Sequence, residues 1–454
     1  MSPAVASAAP RLAARAPTHD AEKQRARRKE DATARVIKRW HGLGALLAAA
    51  FYSLFFSAHL KFQDTPIYIR DGILFGAQTH SVFQDLTTER SGDHSRISTL
   101  HPAFTLIHQP ATQLLTKGWE LLGRPRVEAS RHGVATLTCL AGALAVVMVY
   151  HTLLWAGLPG LRAVLLAAAF GAGTCAWIMA PLPETWLFAG TGAAAMAAVT
   201  ARGNLARPVW HLLAAVYAIS CFIGNLIPCL ILALTRCAQD RTQFGSFHAR
   251  PLLTVLGAIT LTFALANVQR QLYPHSAPLP RSWQDVLALR SDWHASAETA
   301  PLLAREIFVS NIVAPAEFTA VPDKSRSRIV LNEARWSSLG LQHGLSAGWL
   351  LLLALALAGI VWRAQMDPLA LGLISALAWS VLTVSWYGSE DRLLVHASQW
   401  TPLVVVLAGL GLERALQHWR FIATPVTLFL AVFVCALITR NWLFINEIAA
   451  IPGR

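Results

Sequence analysis

Long apolar runs, many of them close to 20 residues, alternate with polar segments along most of this chain. A helix of about 20 apolar residues is needed to cross the hydrocarbon core of a bilayer. A β-barrel would instead show alternating segments of about ten residues. The pattern therefore predicts an all-α polytopic membrane protein with about 11 transmembrane helices. The predicted spans are 42–60, 133–156, 161–180, 184–200, 208–222, 224–236, 250–268, 342–362, 368–387, 398–413 and 421–439.

One apolar stretch, 208–236, has two interpretations. It is interrupted by Gly224, Asn225 and Pro228, which break helices or favour turns. A single kinked helix would place its Arg-bearing flanks on opposite sides of the membrane and reduce the total to about ten spans. A short hairpin would place both flanks in the cytoplasm, as the positive-inside rule requires. We therefore prefer the hairpin.

Charge divides the chain into three regions. A basic tail, 1–41, precedes the first span and is expected to be disordered and cytoplasmic. The transmembrane domain, 42–440, includes two long loops on the outer face, 61–132 and 269–341, and 441–454 forms a short C-terminal tail. The formal net charge of +13 follows from this topology, so membrane lipids are expected partners and nucleic acid is not. Apolar residues at helical spacing predict interfacial helices in 99–123 and in 282–312.

The first outer loop carries the densest group of acids, bases and histidines in the chain. A carboxylate there could act as a general base that removes a proton from a hydroxyl group. The candidates are Asp64, Asp71 and Asp85, and Asp64 lies nearest to the first span. Solvated loop carboxylates without a catalytic role are the alternative.

Other polar residues on the predicted outer face are candidates for binding a phosphate or a sugar. An arginine offers a planar fork of donors to a phosphate, which makes Arg96 the clearest candidate. Glu184 could line a cavity or cap a helix N-terminus, and Arg392 could bind a lipid phosphate or pair with Glu390 or Asp391. The proposed donor-binding set is Asp93, His94, Arg96, His101, Glu184 and Arg392.

Several segments resemble the GT-C superfamily of polytopic membrane glycosyltransferases, in an uncharacterised bacterial GT-C-like branch. They are QDTPIYIRD and DLTTERSGDHSRISTLHPAF in the first outer loop, the PLPE turn that ends at Glu184, and EDRLLVHASQWTPLVVVLAG around Arg392. Together they extend over residues 40–440. The resemblance implies a GT-C-like fold whose first outer loop bears interfacial helices.

The same resemblance implies an inverting glycosyltransferase of the bacterial inner membrane, with a cytoplasmic N-terminus. It would move a hexosyl or pentosyl group from a polyprenyl-phosphate donor to a glycan, lipid or protein acceptor on the periplasmic face. Asp64 would activate the acceptor, and Arg96 and Arg392 would hold the lipid phosphate. The loop acids permit a divalent cation, Mg²⁺ or Mn²⁺, without requiring one. Alternatives are an O-antigen ligase or polymerase, and a transporter or flippase of lipid-linked sugars.

Overall fold

A computed structural model describes most of the chain from Gly42 to Ala450. The described residues are 42–89, 100–203, 207–244, 249–280, 282, 284–285, 300–314, 318–323, 326–331, 341–362, 367–387 and 392–450. The chain forms two units, Met1–Leu43 and Gly44–Arg454. The fold outlined below is that of the second unit, and the predicted tail 1–41 lies outside the described residues.

Helices form nearly all of the described regular structure. The first outer loop contains two short helices and a longer one between two long helices, and the later helices follow one another with few interruptions. The helices are α1 Gly42–Phe62, α2 Pro66–Ile69, α3 Thr79–Thr87, α4 Phe104–Leu121, α5 Arg126–Trp155, α6 Gly160–Ala172, α7 Thr174–Met179, α8 Thr185–Arg202, α9 Pro208–Cys221, α10 Leu226–Phe244, α11 Arg250–Leu272, α12 Ala300–Arg305, α13 Leu341–Val361, α14 Pro368–Tyr387, α15 Leu393–His418 and α16 Ala423–Ala450. Short 3₁₀ turns cover Ile223–Asn225 and Arg420–Ile422, and a π-helix covers Glu306–Ser310.

The helical membrane architecture predicted from the apolar runs is confirmed. Within the described part of the chain, seven helices are long and apolar enough to cross a bilayer, and three shorter helices are also apolar. All eleven predicted spans coincide with helical segments, although one of them is divided between two helices and the number that cross the membrane stays a prediction. The second outer loop adds one antiparallel hairpin, β1 Phe318–Asp323 and β2 Arg326–Leu331, to the otherwise helical fold.

The span predicted at 161–180 is broken into α6 and α7 at Gly173. The first backbone N–H groups of a helix need acceptors from outside it. The end of the second outer loop supplies them, because Thr174 N donates to Ile312 O and Cys175 N to Asn311 O, both at 3.0 Å. Hydropathy could not indicate this break, because its hydrogen-bond partners come from more than 130 residues away in the sequence.

The chain reverses direction between α9 and α10, where the hairpin was predicted. Helix α9 ends at Cys221 and α10 begins at Leu226 after a 3₁₀ turn. Farther along α10, the Arg236 guanidinium lies against Gly203, just before α9, with its Nη1 2.8 Å from the position of a Cβ atom there. The Arg-bearing end of α10 has therefore returned to the end of the fold at which α9 starts.

Helix α15 is the central element of the bundle. Almost all of it is buried, and it packs against α5, α6, α7, α8, α13 and α14. It begins at Leu393, so residues 393–397, which the predicted spans left between two helices, belong to a buried helix. Helix α16 likewise continues to Ala450, so the predicted tail 441–454 is helical through that residue.

Candidate active site

Glu184 is a buried carboxylate at the start of α8, where it holds two segments of the chain together. Its side chain is 1% exposed and accepts hydrogen bonds from Gln78 N and Thr185 N, both at 2.9 Å. An acid at a helix N-terminus also interacts favourably with the helix dipole. Glu184 is thus an N-cap, as one interpretation of the sequence expected, and it also ties the first outer loop to α8.

The loop that presents Gln78 to Glu184 has an unusual backbone. Phe75 has a φ angle of 49°, and its neighbour Gly76 has a φ angle of 69°. A bulky residue with positive φ is an outlier that persists only when its surroundings hold it in place. Phe75 is buried, and hydrogen bonds from Gly72 N to Ala77 O and from Ala77 N to Leu74 O close the loop.

Arg392 lies over this loop from the N-terminal end of α15. Its Cγ atom is 2.5 Å from the position that a Cβ atom would take on Gly76, so only a glycine fits beneath it. The side chain is partly exposed, and its positive charge acts on the Glu184 carboxylate. The structure therefore brings together Glu184 and Arg392, which are more than 200 residues apart in the sequence.

His101 completes the polar part of this cluster. Its Nδ1 bonds to the carbonyl oxygen of Cys221, and its Nε2 lies 3.1 Å from Thr185 Oγ1. Burial lowers the pKa of His101 to about 4, although the Cys221 carbonyl and the charge of Asp85 both oppose that shift. The ring is therefore neutral at pH 7. Nδ1 then donates to the carbonyl, and Nε2 accepts from Thr185.

Aromatic rings border the cluster on the side of α15. The ring of Trp186 lies 4.4 Å from that of His396 and 4.7 Å from that of Phe222. It also lies 5.7 Å from the ring of His101. His396 lies between two predicted spans in the sequence and is buried on α15 in the structure. The cluster is thus formed by the N-terminal ends of α8 and α15, the C-terminal end of α9, and the first outer loop.

The three predicted catalytic carboxylates occupy different environments. Asp85, on α3, is 3% exposed and close enough to His101 for its charge to act on the ring. Asp71 accepts hydrogen bonds from Ser81 N at 3.0 Å and from Ser81 Oγ, which holds the first turn of α3. The Asp64 side chain is 76% exposed and pairs with Arg131 Nη1 at 3.0 Å. Asp64 is therefore a largely exposed carboxylate paired with an arginine of α5, unlike the buried Asp85.

The other three predicted binding residues, Asp93, His94 and Arg96, lie outside the described residues. Among those that are described, no group of three or more His, Cys, Asp or Glu side chains is arranged to hold a metal ion.

Sequence reasoning missed several residues of the cluster. Thr185 and Trp186 follow Glu184 directly, so their proximity to it was available from the sequence. The backbone N–H of Gln78 and the ring of Phe222 gave no such signal. A further buried carboxylate that was not predicted is Glu306, on the π-helix: it is 2% exposed and pairs with Arg305 at 3.0 Å, and burial raises its pKa.

Comparisons with known proteins give distant structural similarity and no sequence match. No family model matches the chain, and no curated protein matches its sequence. Among solved structures, the apo form of an oligosaccharyltransferase from Archaeoglobus fulgidus is similar, with a TM-score of 0.46 and 11% sequence identity. The match covers 90% of this chain and 56% of that one. This likeness is too distant for that protein's activity to be transferred.

Proposed function

We propose that this protein is an inverting glycosyltransferase that uses a polyprenyl-phosphate-linked sugar as its donor. The observation that carries the proposal is the convergence of Glu184, His101 and Arg392 from three distant segments at one end of a membrane helix bundle. Buried polar groups at a membrane surface usually mark a site that handles a polar substrate. The GT-C-like motifs in the sequence support the same class of enzyme.

Arg392 is the proposed ligand of the donor phosphate. It is partly exposed, so a substrate can reach its guanidinium group. An arginine can form two parallel hydrogen bonds to a phosphate, and its charge stabilises the negative charge that develops on a leaving phosphate. Gly76 and the loop held by Glu184 fix the position of this side chain.

Asp85 is the proposed general base. It is buried next to His101, whereas Asp64 is well solvated and already paired with Arg131. Asp85 would remove the proton from an acceptor hydroxyl as its oxygen attacks the anomeric carbon of the sugar. The bond from that carbon to the phosphate oxygen breaks with inversion, and its electron pair leaves with the polyprenyl phosphate.

Transfer by the purified full-length protein, measured with a panel of polyprenyl-phosphate sugars, tests this function. Removing a general base costs about 10²- to 10⁴-fold in rate, so Asp85→Asn should lower turnover by at least that lower factor. Asp64→Asn is the matched control and should stay within about threefold of the wild type, because a solvated carboxylate contributes little. Arg392→Gln should lower turnover without a loss of folded protein.

Two outcomes would count against the proposal. If no donor in the panel is turned over, the proposed reaction is wrong. If Asp64→Asn abolishes turnover and Asp85→Asn does not, the function stands and the base is Asp64, as the sequence first indicated.

A further inference from the structure

A polar cavity lies between the C-terminal ends of α13 and α15. Its volume is about 200 Å³, and its lining includes Ala358, Gly359, Arg414 and Ala415. The two helices approach closely because Gly359 lies against the backbone oxygen of Gly411. Small side chains leave the space between the helix ends unfilled.

The cavity lies at the opposite end of the fold from the candidate active site. Arg392 precedes the first residue of α15, while Arg414 lies near its last turn. At a rise of about 1.5 Å per residue, α15 is roughly 39 Å long, which exceeds the thickness of the hydrocarbon core. The cavity and the Glu184 cluster therefore lie at opposite surfaces of the membrane.

Other arginines share the end that contains the cavity. Arg162 forms a bidentate pair with Glu413, with distances of 2.9 and 3.0 Å. Arg202, at the end of α8, lies 5.2 Å from the ring of Trp155, which ends α5. Anionic lipids of the cytoplasmic leaflet attract such basic surfaces, and the positive-inside rule assigns this end to that leaflet.

Arg414 supplies the positive charge in the cavity. Its side chain is 10% exposed, and its Nη2 pairs with Asp367 at 2.5 Å. Its Nη1 is buried and has no hydrogen-bond partner among the described residues. A buried donor without an acceptor is unfavourable, so an acceptor that enters the cavity would be stabilised there.

The rim of the cavity is aromatic and its outer side is apolar. The rings of Trp362, His418 and Trp419 contact one another, with centroids 5.1 to 5.6 Å apart. Leu357 and Val361 lie one turn apart on α13 and are 61% and 68% exposed. Tryptophan is enriched at the level of lipid headgroups, and exposed leucine and valine on a membrane helix face acyl chains.

We propose that this cavity binds the headgroup of an anionic phospholipid. A phosphate oxygen accepts hydrogen bonds from Arg414, the tryptophan rings border the headgroup, and the acyl chains lie along Leu357 and Val361. The proposal is independent of the reaction catalysed at the other end of the bundle.

Thermal unfolding of the purified full-length protein in neutral detergent tests the site. Added phosphatidylglycerol should raise the Tm of the wild type in a saturable manner, and phosphatidylcholine or inorganic phosphate should raise it less. Arg414→Gln should weaken the apparent affinity for phosphatidylglycerol about fivefold, since one basic group near an anionic surface contributes on the order of that factor. Asp367→Asn removes the competing carboxylate and should bind at least as tightly as the wild type.

Two further variants keep the result interpretable. Ala358→Leu fills the cavity without changing its charge and should lose the response to phosphatidylglycerol. It therefore tests the site even if Arg414→Gln does not fold. Arg250→Gln, which removes an exposed arginine at the start of α11, is the matched control and should respond like the wild type. The proposal is overturned if Arg414→Gln or Ala358→Leu responds like the wild type, or if Asp367→Asn loses the response. It is also overturned if phosphatidylcholine or inorganic phosphate is equally effective.

Discussion

Replacing Glu184 with glutamine should release the loop that supports Arg392. The carboxylate is acceptor-only, and its two oxygens take hydrogen bonds from different backbone donors. A glutamine amide has one acceptor oxygen, and the helix dipole favours placing it against Thr185 N at the N-terminus of α8. The amide NH₂ group then faces Gln78 N, and that donor loses its acceptor.

The magnitude follows from the bond that is lost. A hydrogen bond to a charged group contributes about 1.5–3 kcal/mol, and we take about 2 kcal/mol for this one. A difference of 1.4 kcal/mol is tenfold in an equilibrium, so the opening of the loop should become about 30-fold more populated. Hydrogen–deuterium exchange measured by mass spectrometry on a peptide that spans residues 72–79 should accelerate by that factor.

Two variants separate this effect from a general loss of stability. Glu184→Ala removes both acceptor oxygens, so it should also accelerate exchange in the first turn of α8, which Glu184→Gln should leave unchanged. Glu120→Gln alters an exposed carboxylate on α4 and should change neither region. If the exchange rate of residues 72–79 in Glu184→Gln stays within about threefold of the wild-type rate, the role assigned to this carboxylate is refuted.

Three further predictions concern stability and the geometry of the site. The pKa of His101 is about 4 in the folded protein and about 6.5 in the unfolded protein, so the unfolded state binds an extra proton between these values and stability falls as the pH falls from 6.5 to 4. The difference in Tm between pH 7 and pH 4.5 should therefore be smaller in His101→Gln than in the wild type. An equal difference would contradict the assignment. Arg162→Met should lower the stability of the protein by about 3 kcal/mol because it leaves the buried Glu413 without its arginine partner. In thermal unfolding, the double variant Arg162→Met, Glu413→Leu should recover most of the lost stability. Gly76→Ala should lower sugar transfer at least as much as Arg392→Gln does, because a Cβ atom displaces Arg392; transfer at the wild-type rate would show that this contact is dispensable.

The apolar runs were sufficient to predict the helices because a bilayer requires backbone hydrogen bonds to be made within each span. Boundaries set by distant contacts could not be predicted in the same way. The start of α7 depends on carbonyl groups of the second outer loop, and the start of α15 depends on burial among other helices.

The candidate site could be predicted only in part, for the same reason. Glu184 was predicted to line a cavity or cap a helix, and Arg392 to bind a lipid phosphate or pair with a neighbouring acid. That Asp64 pairs with Arg131 follows from packing and has no local signal in the sequence. The position of Gln78 against Glu184 depends on a backbone conformation that residue types alone do not specify.

The framework beneath the candidate site is held by polar side chains of the central helix. Gln399 Nε2 donates to Asn225 Oδ1 at 3.1 Å, and Asn225 Nδ2 donates to the carbonyl groups of Ala189 and Ala218. These bonds join α15, α8 and α9 one turn below the ring of His396. Because polar groups buried in a membrane are costly unless they are hydrogen-bonded, this network fixes the relative positions of the helices. The partly exposed Arg392 therefore projects from a rigid scaffold, which is the arrangement that holds a catalytic group in place before the substrate binds.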